Sequence, residues 1–199
     1  MRSFDISLRV IHCSKLLDRN VRMKIINTPM EGLFVIQPEI FEDERGFFLE
    51  SFNKQRFGKN RIKDEFVQDN ISRSYKNVIR GMHFRTKKPQ SQLVTVLNGC
   101  IFDVCVDLRK ESKSFGKWYG IELSKDGPRQ IYMEPGFAHG FLCLSEFVDM
   151  HYKVSELFDS NNEAGFVYDD QDISIDWPIS NPILSTKDAE LPSFRDSLL

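Results

Sequence analysis

Three short stretches of this 199-residue chain put reactive side chains where a strand would normally be packing. They are Arg80-Gly81-Met82-His83-Phe84-Arg85, Pro135-Gly136-Phe137-Ala138-His139-Gly140-Phe141 and Met150-His151-Tyr152-Lys153. His83 is open to three readings: a packed strand histidine, a general base, or a metal ligand. A neutral imidazole takes up a proton readily near pH 7, which is what a base needs. A histidine-rich metal site in a small β-barrel wants two histidines one residue apart and a carboxylate soon after; here position 85 is arginine and His-x-His occurs nowhere, so no metal is expected. Tyr152 is either a core tyrosine or, in an open barrel, a hydroxyl that donates a proton into a cavity. Asp188 is a C-terminal acid that could orient a histidine and balance its charge. Arg45, Arg80 and Lys187 are ordinary surface cations unless the fold gathers them, in which case they suit a diphosphate, because guanidinium forks match phosphate oxygens.

These residues need a scaffold of strands to position them. From 33 to 155 the hydrophobic pattern has period two. Phe102, Val104, Val106 and Leu108 alternate with Asp103, Cys105, Asp107 and Arg109, which predicts a strand with one buried face. Val148, Met150, Tyr152 and Val154 share one face of another. Glu134-Pro135-Gly136 separates strands expected near 129–133 and 139–144. Asn98-Gly99 after Leu93–Leu97 reads as a hairpin turn into the next strand. Many short strands with frequent turns predict an all-β sandwich or barrel. Helix is expected only in short pieces, such as 52–58 and 186–191.

Length and charge narrow the function. The chain suits one domain. A net charge of −2 argues against broad nucleic-acid or membrane-surface binding. No apolar run reaches the roughly 18 residues of a membrane span. The N-terminus shows no secretory h-region, and Cys13, Cys100, Cys105 and Cys143 form no CxxC or dense framework. Reduced thiols in a cytoplasmic protein are the expectation. Residues 1–22 are basic and weakly patterned, an extension of unknown role ahead of a domain at 23–199; Met23 is an alternative start.

Ordered blocks from Met23 to Pro192 resemble the dTDP-4-dehydrorhamnose 3,5-epimerase family. They include Met23–Pro29, Phe41-Glu42-Asp43-Glu44-Arg45-Gly46-Phe47-Phe48-Leu49-Glu50, Phe66-Val67-Gln68-Asp69-Asn70-Ile71-Ser72, Arg80–Phe84, Phe115-Gly116-Lys117-Trp118, Pro135–Phe141 and Leu184–Ala189. The resemblance implies a cupin-type jelly-roll homodimer acting on a nucleotide-diphospho 4-keto-6-deoxy sugar without metal or cofactor. It implies that His83 is the base, Asp188 its dyad partner and Tyr152 the acid on the opposite face. It further implies that Arg45, Phe48, Glu50, Gln68, Asn70, Arg80, Gln92, His139, Glu163 and Lys187 contact substrate, with Arg45 and Glu50 reaching a neighbouring subunit's pocket. The expected chemistry is inversion at C3, C5 or both through an enolate stabilised by the 4-ketone.

The chain departs from the family pattern near the expected pocket. Gln92 stands where the family usually has lysine, Leu157-Phe158 replaces a tyrosine pair, Arg85 replaces a glutamine, and Tyr168-Asp169-Asp170 replaces Trp-Asp-Asp. These changes point to a variant substrate or to inversion at one carbon. Two other readings stay open: a 3,4-ketoisomerase-like cupin that moves the carbonyl, and a nucleotide-sugar-binding cupin without turnover.

Overall fold

The period-two runs fold into two antiparallel sheets packed face to face. A computed structural model describes residues 23–127 and 129–198; the expected extension at 1–22 lies outside the described residues. One sheet contains six strands: β1 (Lys24–Asn27), β2 (Leu33–Gln37), β5 (Gln68–Tyr75), β7 (Gln92–Asn98), β10 (Gln130–Met133) and β12 (Phe147–Val154). Their order is β1-β2-β10-β7-β12-β5. The other contains β6 (Ile79–Arg85), β8 (Cys100–Asp107), β9 (Trp118–Ser124), β11 (Phe137–Cys143) and β13 (Glu163–Gly165), ordered β13-β6-β11-β8-β9. β3 (Ile40–Asp43) and β4 (Gly46–Leu49) form a separate hairpin. Among the described residues three short helices follow the expected pattern or extend it: α1 (Lys54–Lys59), α2 (Thr186–Ala189) and α3 (Phe194–Ser197). This is the expected jelly roll.

Between the sheets lies a core of Leu33, Val35, Val94, Val96, Ile131 and Met150 against Ile101, Cys105, Ile121, Leu123 and Phe141. Burying each such side chain contributes about 1.5–3 kcal/mol, so this layer dominates stability. The outer faces are covered as well. Phe102, Val104 and Val106 pack under Phe166, Ile173, Trp177 and Phe194 of the C-terminal segment. Phe34, Ile36, Leu93 and Tyr132 pack under Phe57 and Ile62 around α1.

Two sequence expectations are corrected. β8 is buried on both faces, with Asp103, Cys105 and Asp107 as buried as Phe102 and Val104. Its polar-looking face points into the barrel rather than to solvent. The Asn98-Gly99 turn exists, with Gly99 at φ 85°, but it makes no hairpin. β7 pairs with β10 and β12, whereas β8 pairs with β11 and β9. The turn is a corner that carries the chain between sheets, since both strands have two buried faces to satisfy and neighbours in different sheets.

Candidate active site

At one end of the barrel the sheets enclose a cavity of about 220 Å³. Period two dictates its walls. Gln68, Asn70 and Ser72 alternate inward from β5, and Met150, Tyr152 and Val154 do so from β12. Gln92 enters from β7. The facing wall supplies Arg80 and His83 from β6, His139 and Phe141 from β11 and Glu163 from β13. Tyr152 and His83 therefore approach one space from opposite sheets.

His83 sits in a segment built for close approach. Gly81 has φ 125°, and a Cβ there would lie 2.6 Å from the Gly140 Cα. A side chain at 81 would thus collide with the backbone of β11. Next to this contact the β6–β11 register shifts between His139 and Phe141, a bulge that brings His139 directly opposite His83.

Each histidine has a carboxylate. Asp188 Oδ1 lies 2.6 Å from His83 Nε2. Asp188 is held by α2, where the Ser185 side chain caps the helix by accepting the Asp188 amide at 3.0 Å. Burial by itself would raise the Asp188 carboxyl. Hydrogen bonds from His83, Ser185 and the Gly81 backbone outweigh burial and hold it below its ordinary value. A carboxylate at Nε2 keeps the proton on that nitrogen, so the lone pair of the neutral ring is on Nδ1. His139 Nε2 lies 2.8 Å from Asp103 Oδ2. Asp103 is fully buried on β8, diagonal to His139 across the β8–β11 ladder.

Tyr152 is half-buried on β12. Burial pushes its hydroxyl above the usual 10; the nearby Arg80 cation opposes this and Glu163 adds to it. The phenol is thus kept as a proton donor. Arg80 is oriented by its Nε donating to Ser74 Oγ at 2.8 Å. Gln68 Nε2 donates to Asn70 Oδ1 at 2.9 Å, and its Oε1 accepts the Phe158 amide at 2.9 Å.

The fold gathers most of the expected residues. His83, Tyr152, Gln68, Asn70, Arg80, Gln92, His139 and Glu163 line the cavity, with Asp188 behind His83. Four others lie away from it. Arg45 and Phe48 are exposed on the β3–β4 hairpin, where Arg45 Nε donates to Asp43 at 3.1 Å. Glu50 accepts from Arg56 and from Asn53, both at 3.0 Å. Lys187 is exposed on α2. Among the described residues no group of three His, Cys, Asp or Glu side chains converges as a metal site, and no helix is long and apolar enough to cross a membrane.

Sequence reasoning missed Asp103, Gln90 and Glu156, whereas Phe158, expected near the pocket as half of the Leu157-Phe158 replacement, does line it. Asp103 carried one usable signal: an acid inside an apolar strand. The other two lie on loops, where no periodicity tells which way a side chain faces.

A jelly roll whose two sheets present a carboxylate-paired histidine and a raised-pKa tyrosine across one cavity has the parts of a proton-transfer site, and the class of this protein is a carbohydrate epimerase. A family model described as dTDP-4-dehydrorhamnose 3,5-epimerase matches residues 27–196. Curated relatives with that name include one from Methanothermobacter thermautotrophicus, 44% identical across 87% of this chain and 96% of the relative. Another, from Salmonella typhimurium, is 45% identical across 89% of this chain and 98% of the relative. A crystal structure of a dTDP-6-deoxy-D-glucose-3,5-epimerase from Legionella pneumophila, in complex with dTDP-4-keto-L-rhamnose, superposes with a TM-score of 0.84 at 44% identity, covering 87% of this chain and 94% of that one. The chain belongs to the dTDP-4-dehydrorhamnose 3,5-epimerase family.

Proposed function

We propose that this protein inverts C3, C5 or both of a dTDP-linked 4-keto-6-deoxy sugar, with dTDP-4-dehydrorhamnose, named in its relatives, as the substrate. The 4-ketone acidifies the adjacent C–H bonds. His83 Nδ1 removes the proton, and the C–H electron pair moves into an enolate ending on the C4 oxygen. Asp188 holds the imidazolium that results. Tyr152 returns a proton from the opposite face, the enolate collapses to the ketone, and the carbon is inverted. Arg80, His139 and Gln92 supply donors to the enolate oxygen and the diphosphate, and Gln68, Asn70 and Glu163 contact the remainder of the ligand. The observation carrying this reading is the approach of His83 and Tyr152 to one cavity from opposite sheets, because inversion needs a base and an acid on opposite faces.

The working unit in this reading is a cytoplasmic homodimer. Exposed Phe41, Phe47 and Phe48 on the β3–β4 hairpin support it, as do exposed Ile71 and Tyr75 on β5 at the sheet edge. Arg45, Phe48 and Glu50 then belong to the partner's pocket and Lys187 to the rim of its own.

The test is incubation with the 4-keto sugar nucleotide in D₂O. Deuterium at C3 or C5 with an unmoved carbonyl is expected, and the His83→Asn variant loses it. Product with a migrated carbonyl favours the ketoisomerase alternative. Tight binding without any exchange sinks the catalytic reading altogether.

A further inference from the structure

We infer that Arg85 is a positioning residue that sets the affinity of the site for its nucleotide sugar by bracing three separate pieces of the cavity wall from behind. The inference rests on the epimerase reading above.

Arg85 ends β6, two residues beyond His83, and its side chain is 4% exposed. A buried guanidinium is costly unless its donors and its charge are met. Here the charge and the two terminal nitrogens are met by pieces of three different segments. Nη2 donates to the Leu157 carbonyl at 2.8 Å. Nη1 donates to Gln90 Oε1 at 3.4 Å. Nε lies 3.5 Å from Glu163 Oε1, an ion pair between Cα partners on β6 and β13. The Arg85 charge is thus balanced by Glu163.

Each of these contacts holds a piece of the cavity wall. Gln90 and Glu163 line it directly, and Phe158, next to Leu157, lines it too. Phe158 is also held from the front by the Gln68 acceptor on its amide. The Nε of Arg85 makes no hydrogen bond, and Glu163 is engaged through charge alone. Its carboxylate oxygens are consequently available to a ligand hydroxyl while its negative charge is already compensated. A planar fork is needed for this: one lysine ammonium cannot reach three segments at once.

The hydrogen bonds and ion pair of Arg85 run to Gln90, Leu157 and Glu163 rather than to His83 or Tyr152, so its loss should act on binding rather than on proton transfer. The experiment compares wild type, Arg85→Gln and Arg85→Lys in steady-state turnover of the 4-keto sugar nucleotide, in deuterium uptake at saturation, and in calorimetric titration with dTDP. For Arg85→Gln, KM rises about tenfold or more and dTDP binding weakens similarly, roughly the loss of one charge-assisted contact. Its kcat and saturated exchange rate stay within about threefold of wild type. Arg85→Lys falls between, since it keeps the charge beside Glu163 and loses the fork. In a Glu163→Gln background the Arg85→Gln effect shrinks, because the two residues act through one contact.

An Arg85→Gln protein with unchanged KM and unchanged dTDP affinity overturns the inference, as does a loss confined to kcat. If that variant does not fold, Arg85→Lys decides: wild-type KM and dTDP affinity in it also overturn the inference. Wild-type protein that takes up no deuterium instead overturns the epimerase reading. The dTDP titration then judges Arg85 alone, equal affinity for wild type and variant counting against it.

Discussion

Asp188→Asn isolates the contribution of the His83 carboxylate. The side chain keeps its shape but loses its charge, and its amide nitrogen can donate to His83 Nε2 where the carboxylate only accepted. Two effects follow. Asp188 is 5% exposed and sits 2.6 Å from the ring, so the lost charge-assisted hydrogen bond is worth about 1.5–3 kcal/mol. At about 1.4 kcal/mol per decade this slows formation of the imidazolium roughly 10- to 150-fold. The second effect is tautomeric. An amide donating to Nε2 moves the ring proton to Nδ1 and removes the lone pair that takes up the substrate proton. A general base contributes about 10²–10⁴-fold, so the combined expectation is a kcat loss of roughly 10²–10⁴. Because Asp188 lies behind His83 and does not line the cavity, KM should move little. The assay is kcat and KM on the 4-keto sugar nucleotide, with deuterium uptake measured in parallel and thermal melting to verify the fold. A folded variant whose exchange rate is within about threefold of wild type would refute the dyad reasoning.

Tyr152→Phe should still exchange deuterium at the activated carbon but yield inverted product at least about 100-fold more slowly, as read by NMR of the product. In wild type, the raised Tyr152 hydroxyl keeps its proton beyond pH 10, so activity should show no alkaline limb from this group below that pH. Gln92→Lys replaces an amide dipole with a full charge at the cavity wall, and kcat should rise about five- to tenfold; a fall would mean that Gln92 is matched to its substrate. Asp107→Asn tests a structural carboxylate. Asp107 is fully buried, and burial would raise it, but bonds from Arg109, Ser112 and Ser114 hold it at about 2. Its folded value is depressed, so the stabilisation is present above the usual 3.8 and is lost as pH falls toward 2. The shift corresponds to about 2 kcal/mol. Urea titrations should show Asp107→Asn less stable by about that much at pH 7, with the gap closing between pH 4 and 2.

Much of the fold can be read from local pattern. Alternation marked β8 and β12 because a pleated strand sends successive side chains to opposite faces. It could not tell that β8 is covered on both faces, since the C-terminal segment bearing Phe166, Trp177 and Phe194 comes from far along the chain. The Asn98-Gly99 turn was legible as a turn and misleading as a hairpin, because strand partners are chosen by global packing. The loop residues Gln90 and Glu156 had no period to reveal them.

The site divides in the same way. From the sequence alone come the kinds of groups available: His83 as a candidate base, Tyr152 on the inward face of its strand, Asp188 as a candidate orienting acid and a cluster of matching blocks that identified the family. Residue types and spacing carry that much because they limit protonation and facing locally. Only the tertiary structure decided that Asp188, 105 positions away, reaches the His83 ring, that Tyr152 faces it from the other sheet, and that Asp103 pairs with His139. It also decided that Arg45, Phe48, Glu50 and Lys187 stay outside the cavity of their own chain. Such contacts depend on how two sheets and a distant helix cap close on one another, and no local periodicity encodes that closure.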